Sequence, residues 1–373
     1  MKTKILVVGI ILLFVAIAYA PAIAQNTEKQ LVSRGTWLYV GGSGPGNYSR
    51  IQDAIDNASG GDTIFVYNES SPYKEDIKIR KSITLIGENK STTVILGYTN
   101  GIVINISADD VSISGFTIQP LLIYYTAIGV NYHYIYPDYW NTKLIENVTI
   151  YDNIIKNASN GIIGCRFNHG KIYRNIIKNC FDGIRLEISS SNNTISQNII
   201  THCKHRGIII FGLWNILILE NYQMIIHHLN PKPENNNISR NTIKSNGLGI
   251  MLYRGPINTK IFENNIIDNS EFGIIITNAV NTEITRNNFI NNYKNAHFTV
   301  DKLRFSQFLI SKQAWNQNYW GEPKKLPVGI PGSFSIEIFP RVPISFIIEH
   351  FNFPLITFDK NPAQEPYDIP GMR

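Results

Sequence analysis

The densest set of metal-capable side chains in the sequence is His202-Cys203-Lys204-His205, followed by His227 and His228. Thiolate and imidazole together would suit copper. The competing explanation is structural. Cys203 falls where Cys180 falls one repeat earlier, and Ala158, Asn246 and Ser270 are expected there in other repeats, which describes a slot for a small side chain. The two cysteines could also stack closely enough for a disulfide. A second set, Arg185, Glu187, Phe211, Met251 and Tyr253, falls on alternating positions that should point outward from short strands. Aromatic rings with Arg and Glu beside them would suit sugar rings, unless insertions or the tail cover them. Hydrolysis needs two carboxylates flanking one bond. Asp182, Glu187, Asp268, Glu271 and Glu283 are scattered, so no catalytic residue is assigned.

The elements that position these groups are visible in a repeat. Seven segments read Ile-x-x-Asn, with the Asn at 153, 175, 198, 221, 241, 264 and 287. Gly-hydrophobic follows about eight residues later in most of them, as in Gly161-Ile162 and Gly183-Ile184. A period near 22 with short apolar strands and no helical stretch predicts a parallel β-solenoid, because one coil cannot bury its own apolar face and stacked coils can. Asn153, Asn175, Asn198, Asn221, Asn241, Asn264 and Asn287 are expected to form a ladder at a turn, with Asn taking the left-handed corner. The residues preceding them, Asp152, Arg174, Gln197, Glu220, Arg240, Glu263 and Arg286, alternate in sign. That order makes sense only for spatial neighbours, and it sets register.

Composition agrees. The chain has 63 Ile and 42 Asn, is 43% hydrophobic and only 17% charged, which excludes a disordered chain or a coiled coil. The net charge of +6 (34 − 28) is too small and dispersed for a nucleic-acid protein. Lys2 and Lys4 precede an apolar run from Ile5 to Ala20, then Ala22-Ile23-Ala24, a signal-peptide pattern over residues 1–24. The expected location is secreted or cell-surface. Nine Asn-x-Ser/Thr sequons, from Asn47 to Asn237, would allow glycosylation of an exported chain.

A solenoid needs caps. Residues 25–60 supply an N-terminal segment and a helix over Ser49–Ala58, opened by a Ser49/Gln52 capping box. The coils span 61–299, with insertions at 121–141 and 229–236, and an irregular Pro- and aromatic-rich extension fills 300–373. The tail should cover the C-terminal coil or a flank.

The coil NIIKNCFDGIRLEISSSNNTISQNII (residues 175–200) resembles the repeats of the NosD-type periplasmic copper-binding family. YVGGSGPGNYSRIQDAIDNASGGDTIFVY (39–67) and KSITLIGE (81–88) resemble the start of secreted archaeal proteins with those repeats, and NYWGEP (318–323) and DKNPAQEPYDI (359–369) resemble their tails. The resemblance implies an all-β, right-handed single-stranded parallel β-helix of the pectin lyase-like kind. It carries no catalytic motif; copper is implied by the family label alone, with His202, Cys203 and His205 as weak candidate ligands. The superfamily also holds pectin methylesterases, epimerases and polygalacturonases, but their acidic motifs are missing. The expected function is an exported, non-catalytic scaffold that binds polysaccharide or another surface protein. The alternatives are a polysaccharide lyase or hydrolase and a copper-delivery accessory.

Overall fold

The computed structural model describes residues 35–98, 101–132, 143–212, 217–220, 223–226, 232–301, 313–338 and 349–369. The expected signal segment, 1–24, lies outside them, as do Asn221, His227 and His228. The chain winds as a right-handed parallel β-solenoid of about 10 turns. Each coil contributes up to three short strands, so three parallel stacks run the length of the molecule. One coil shows the plan: Thr149–Tyr151, Ile154–Lys156, then Asn160–Cys165. Each of these pairs with its equivalent one coil on: Lys171–Tyr173, Ile176–Lys178 and Asp182–Glu187.

Isoleucine explains the core. Ile150, Ile172, Ile195, Ile238, Ile261 and Ile284 point inward from successive strands of three or four residues and are fully buried. β-Branched side chains fit a pleated surface, and burying one contributes about 1.5–3 kcal/mol.

The asparagines do something other than turn the chain. The left-handed corner is taken by the residue before each one: Asp152, Arg174, Gln197, Arg240, Glu263, Arg286 and Gln317 have φ between 51° and 56°. The Asn side chain points inward instead. Its Nδ2 donates to Oδ1 of the next Asn, through 153, 175, 198, 241, 264, 287 and 318, at 2.9–3.2 Å. From Asn175 on, each Oδ1 also accepts the backbone N–H of the preceding Asn, as Asn198 does from Asn175, while Asn153 accepts the Phe116 N–H. Burial makes these bonds necessary, since a buried amide without partners costs about 1–3 kcal/mol.

Asn198 bonds directly to Asn241, so consecutive rungs of the ladder are 43 residues apart here. Ile218, expected in a coil strand, lies in a different element. Leu217–Glu220 forms an antiparallel hairpin with Gln223–Ile226, with Glu220 opposite Gln223. In register the strand before Arg240 pairs with the one before Gln197, so Arg240 follows Gln197 in the column and not Glu220; Arg240 pairs with Glu263 at 2.9 Å, and Arg286 with the same Glu263 at 3.3 Å. The insertion accordingly follows Gly212, and the coil has resumed by Glu234, so residues 234–236 belong to the solenoid. Likewise Thr126–Val130, inside the expected 121–141 insertion, is a coil strand paired with Ile102–Ile106 and Asn160–Cys165.

Helix α1, Ile51–Asn57, plugs the N-terminal end with Ile51, Ala54 and Ile55 buried. The Ser49/Gln52 capping box does not form; the N-cap is Arg50 and makes no side-chain cap bond. The Glu75 carboxylate, from a later coil, accepts the Ile51 and Gln52 N–H groups at 2.8 and 3.0 Å. Lys81 closes the other end on the Asp56 and Ala58 carbonyls, each at 2.7 Å. Both charges match the helix dipole. The tail is more regular than expected. Gln313–Asn316 adds a further rung, and the antiparallel arms Val328–Ile338 and Glu349–Asp359 cover the C-terminal end. Tyr367 and Ile369 then return along a flank to Asn288 and Asn265.

Candidate functional site

The longer strands carry the expected outward columns. In register, Glu187 lies beside Phe211 and Phe211 beside Tyr253; Arg185 lies beside Ile209, which lies beside Met251. The five residues expected from sequence thus share one face. Part of that face is covered: Ile163, Cys165 and Ile188 form a small apolar cluster packed by Tyr132.

Register adds residues that spacing did not single out. Asp182 is 1% exposed and accepts from both Arg185 and Arg206 at 3.2 Å. Arg185 also bonds Glu187. Burial works against the Arg185 charge, but Glu187 and then Asp182 outweigh it and hold its pKa above the ordinary value. Arg206 is lowered by its burial, which Asp182 opposes. The aromatic rings have guanidinium groups over them: Arg185 and Arg254 above Phe211 at 5.7 and 5.2 Å, and Arg254 above Tyr253 at 4.9 Å. The rings therefore back a cationic surface. With Arg185, Arg206 and Arg254 against Asp182 and Glu187, the cluster carries a net +1 (3 − 2). Next to it, Ile188 has φ 44°. That conformation is a genuine outlier for a β-branched residue, and such strain concentrates at functional sites.

His205 lies 3.6 Å from Asp182 through Nδ1 and packs at a tilt against Phe181, with centroids 4.9 Å apart. Burial and then Arg206 lower its pKa, against the pull of Asp182. His202 occupies a left-handed corner at φ 55°, its ring bonded to the Thr201 hydroxyl at 2.8 Å. Cys203 sits in the core slot, 1% exposed. A bond to Cys180, with burial, pushes its thiol pKa well up. Cys180 and Cys203 are both free thiols. The equivalent positions later in the chain are Asn246, Asn269 and Asn292, which form a second buried amide ladder at 3.2 and 2.8 Å. Ser270 is thus one residue beyond the slot. His202, Cys203 and His205 do not fit copper: one lies at a corner, one is a protonated thiol in the core, and one faces an aspartate. Among the described residues no group of three or more His, Cys, Asp or Glu could hold a metal ion.

Residues 138–224 match the family described as "Right handed beta helix region", and residues 229–325 match "Periplasmic copper-binding protein (NosD)". The A-module of the Azotobacter vinelandii mannuronan C-5 epimerase AlgE6 has a similar structure, with a TM-score of 0.50, 15% identity, and coverage of 73% of this chain and 83% of that one. The chain carries a right-handed β-helix. The AlgE4 A-module of the same organism gives a TM-score of 0.45 at 13% identity over 73% of this chain and 82% of its own. Bacteriophage CBA120 tailspike protein 2 gives 0.46 at 13% identity over 75% of this chain and 45% of its own. No curated protein matches the sequence. Among the described residues no helix is long and apolar enough to cross a membrane.

Proposed function

We propose that this β-helix protein is an extracytoplasmic scaffold that binds an acidic polysaccharide on its long-strand face and does not process it. The observation that carries the reading is the arrangement of Arg185, Arg206 and Arg254 around Phe211, Tyr253 and a buried Asp182. Planar guanidinium groups recognise carboxylates, and aromatic backing fixes them in place. The two carboxylates in the cluster are both engaged by arginine, which leaves neither placed as a general acid. The match to a periplasmic family supports a location outside the cytoplasm. The test is retardation in native gels containing alginate or polygalacturonate. The wild type should be retarded in a salt-sensitive manner, and Arg185→Ala with Arg254→Ala should abolish the shift. Equal migration in all gels would refute the reading.

A second reading, an enzyme acting on the same polymers, has one specific observation behind it. Burial lowers the His205 pKa, and its Nδ1 lies 3.6 Å from Asp182, a histidine and carboxylate placed near one another as a general base and its partner would be. Release of unsaturated uronate by the wild type, lost in His205→Gln, would establish it.

A further inference from the structure

A second surface lies away from the arginine cluster, at the N-terminal end of the stack of short strands. Trp37–Val40 pairs in parallel with Thr63–Val66, placing Trp37 beside Thr63 and Tyr39 beside Phe65. Leu38, Val40, Ile64 and Val66 turn inward, so Trp37, Tyr39, Phe65 and Tyr67 face outward together. Their rings form one connected platform, with centroids 5.1–6.4 Å apart around Trp37–Phe65, Tyr39–Phe65, Tyr39–Tyr67 and Phe65–Tyr67. Trp37 and Tyr39 remain 51% and 40% exposed. The platform is held in place. Gly42, at φ +67°, runs so close that an added Cβ would sit 3.0 Å from the Tyr67 ring. Exposed rings clustered on a fixed sheet mark an interaction site.

The chemistry around the rings selects the partner. Thr63 and Thr84 flank them, and Ile86, Ser112 and Thr149 continue the outward face over the next three coils. The outward strand positions stay uncharged over these five rungs, about 20 Å at ~4.8 Å per strand, and Glu88, which follows Gly87 and accepts the Asn68 N–H, is an acidic group at the Tyr67 edge. The first cation on this stack is Lys171. Nucleic acid and anionic lipid both require Lys or Arg at the contact, and among the described residues none lies over these four rings. Ring faces bordered by hydroxyls complement a neutral sugar, which offers apolar C–H faces and equatorial hydroxyls.

We infer that Trp37, Tyr39, Phe65 and Tyr67 form a binding platform for a neutral polysaccharide chain lying along the solenoid axis. This site is independent of the Arg185 cluster.

The test uses the full chain in native gels containing hydroxyethyl cellulose, mannan or laminarin, none of which carries a charge. At least one should retard the wild type. Trp37→Ala with Tyr39→Ala should weaken binding by about tenfold or more, the equivalent of about 1.4 kcal/mol. Tyr39→Phe, which keeps the ring, should bind like wild type, and so should Arg185→Ala. Both substituted positions are exposed, and matching circular dichroism and thermal midpoints would verify folding. Failure of all three polymers to retard the protein would overturn the proposal. So would wild-type retardation of the double variant. Sedimentation showing a dimer that this variant dissociates would overturn it too, by making the platform a contact between copies.

Discussion

Replacing Asp359 by alanine should unlace the C-terminal end of the solenoid. The buried amide ladder sends its donors toward the C-terminus, so the last amide, Asn318, needs an acceptor beyond it. Asp359, fully buried, supplies one. Its Oδ2 accepts the Asn318 N–H at 2.9 Å, Asn318 Nδ2 at 3.0 Å and Trp320 Nε1 at 3.1 Å. Its Oδ1 accepts the Asn361 N–H at 3.2 Å. Alanine leaves the first three donors buried and unpaired, at about 1–3 kcal/mol each. Water entering the vacated space offsets part of this, giving a net loss of about 3–6 kcal/mol. Asparagine retains one oxygen for the same donors but sets an NH2 against the Asn361 N–H, and should cost about 1–2 kcal/mol. Solenoids need not unfold in one step. The primary assay is therefore hydrogen exchange at Asn318, Trp320 and the arms Val328–Ile338 and Glu349–Asp359, with urea unfolding beside it. Unchanged exchange in Asp359→Ala would refute the reasoning, as would an Asn variant as damaged as the Ala variant.

Further expectations concern other parts of the molecule. Asn241→Ala removes a mid-ladder rung whose side chain bonds Asn198, Asn264 and Ile195, and should lower stability by about 2–4 kcal/mol in urea titrations. Gln197, exposed at φ 56°, would sit more easily as Asn, so Gln197→Asn should gain up to about 1 kcal/mol by the same measurement. The Cys165 thiol is pushed well up by burial and then by Glu187, and Cys203 by its bond to Cys180 and by burial. Iodoacetamide should label none of the three free cysteines in the native protein and all of them in denaturant. His205 and His297 both have lowered pKa values, chiefly from burial, with Arg206 and Lys294 adding to it. The unfolded chain then binds protons first, so stability is intact above about pH 6.5 and falls on acidification through the lowered values. Thermal midpoints followed from about pH 7 to pH 5 should drop less in His205→Gln/His297→Gln than in the wild type.

The repeat and its chemistry were legible because stacking imposes the same demand on every coil. An inward Ile and a buried amide are required at each rung, so they recur at a fixed spacing. The ion pairs Arg174–Asp152 and Arg240–Glu263 were legible for the same reason. Ile218–Asn221 shows where such reasoning fails. It has the repeat's pattern, yet Leu217–Glu220 pairs with the strand just after it, a choice made by competition between neighbours that four letters do not record. The same holds for the helix cap. Ser49 and Gln52 have capping-box spacing, but Glu75 reaches the free N–H groups from a coil laid against them.

The winding, the inward isoleucines, the amide ladder and the need for caps at both ends can be read from the residues alone, since each follows from local period and the energetics of burial. The folding of the coils set which groups meet across them. It brought Arg206 and Arg254 to the Arg185 cluster, seated Asp359 at the end of the ladder, and joined Trp37 and Tyr39 to Phe65 and Tyr67. The physical reason is that side chains on neighbouring strands interact according to register. Register depends on how many residues each turn takes to come round, a length that varies from coil to coil.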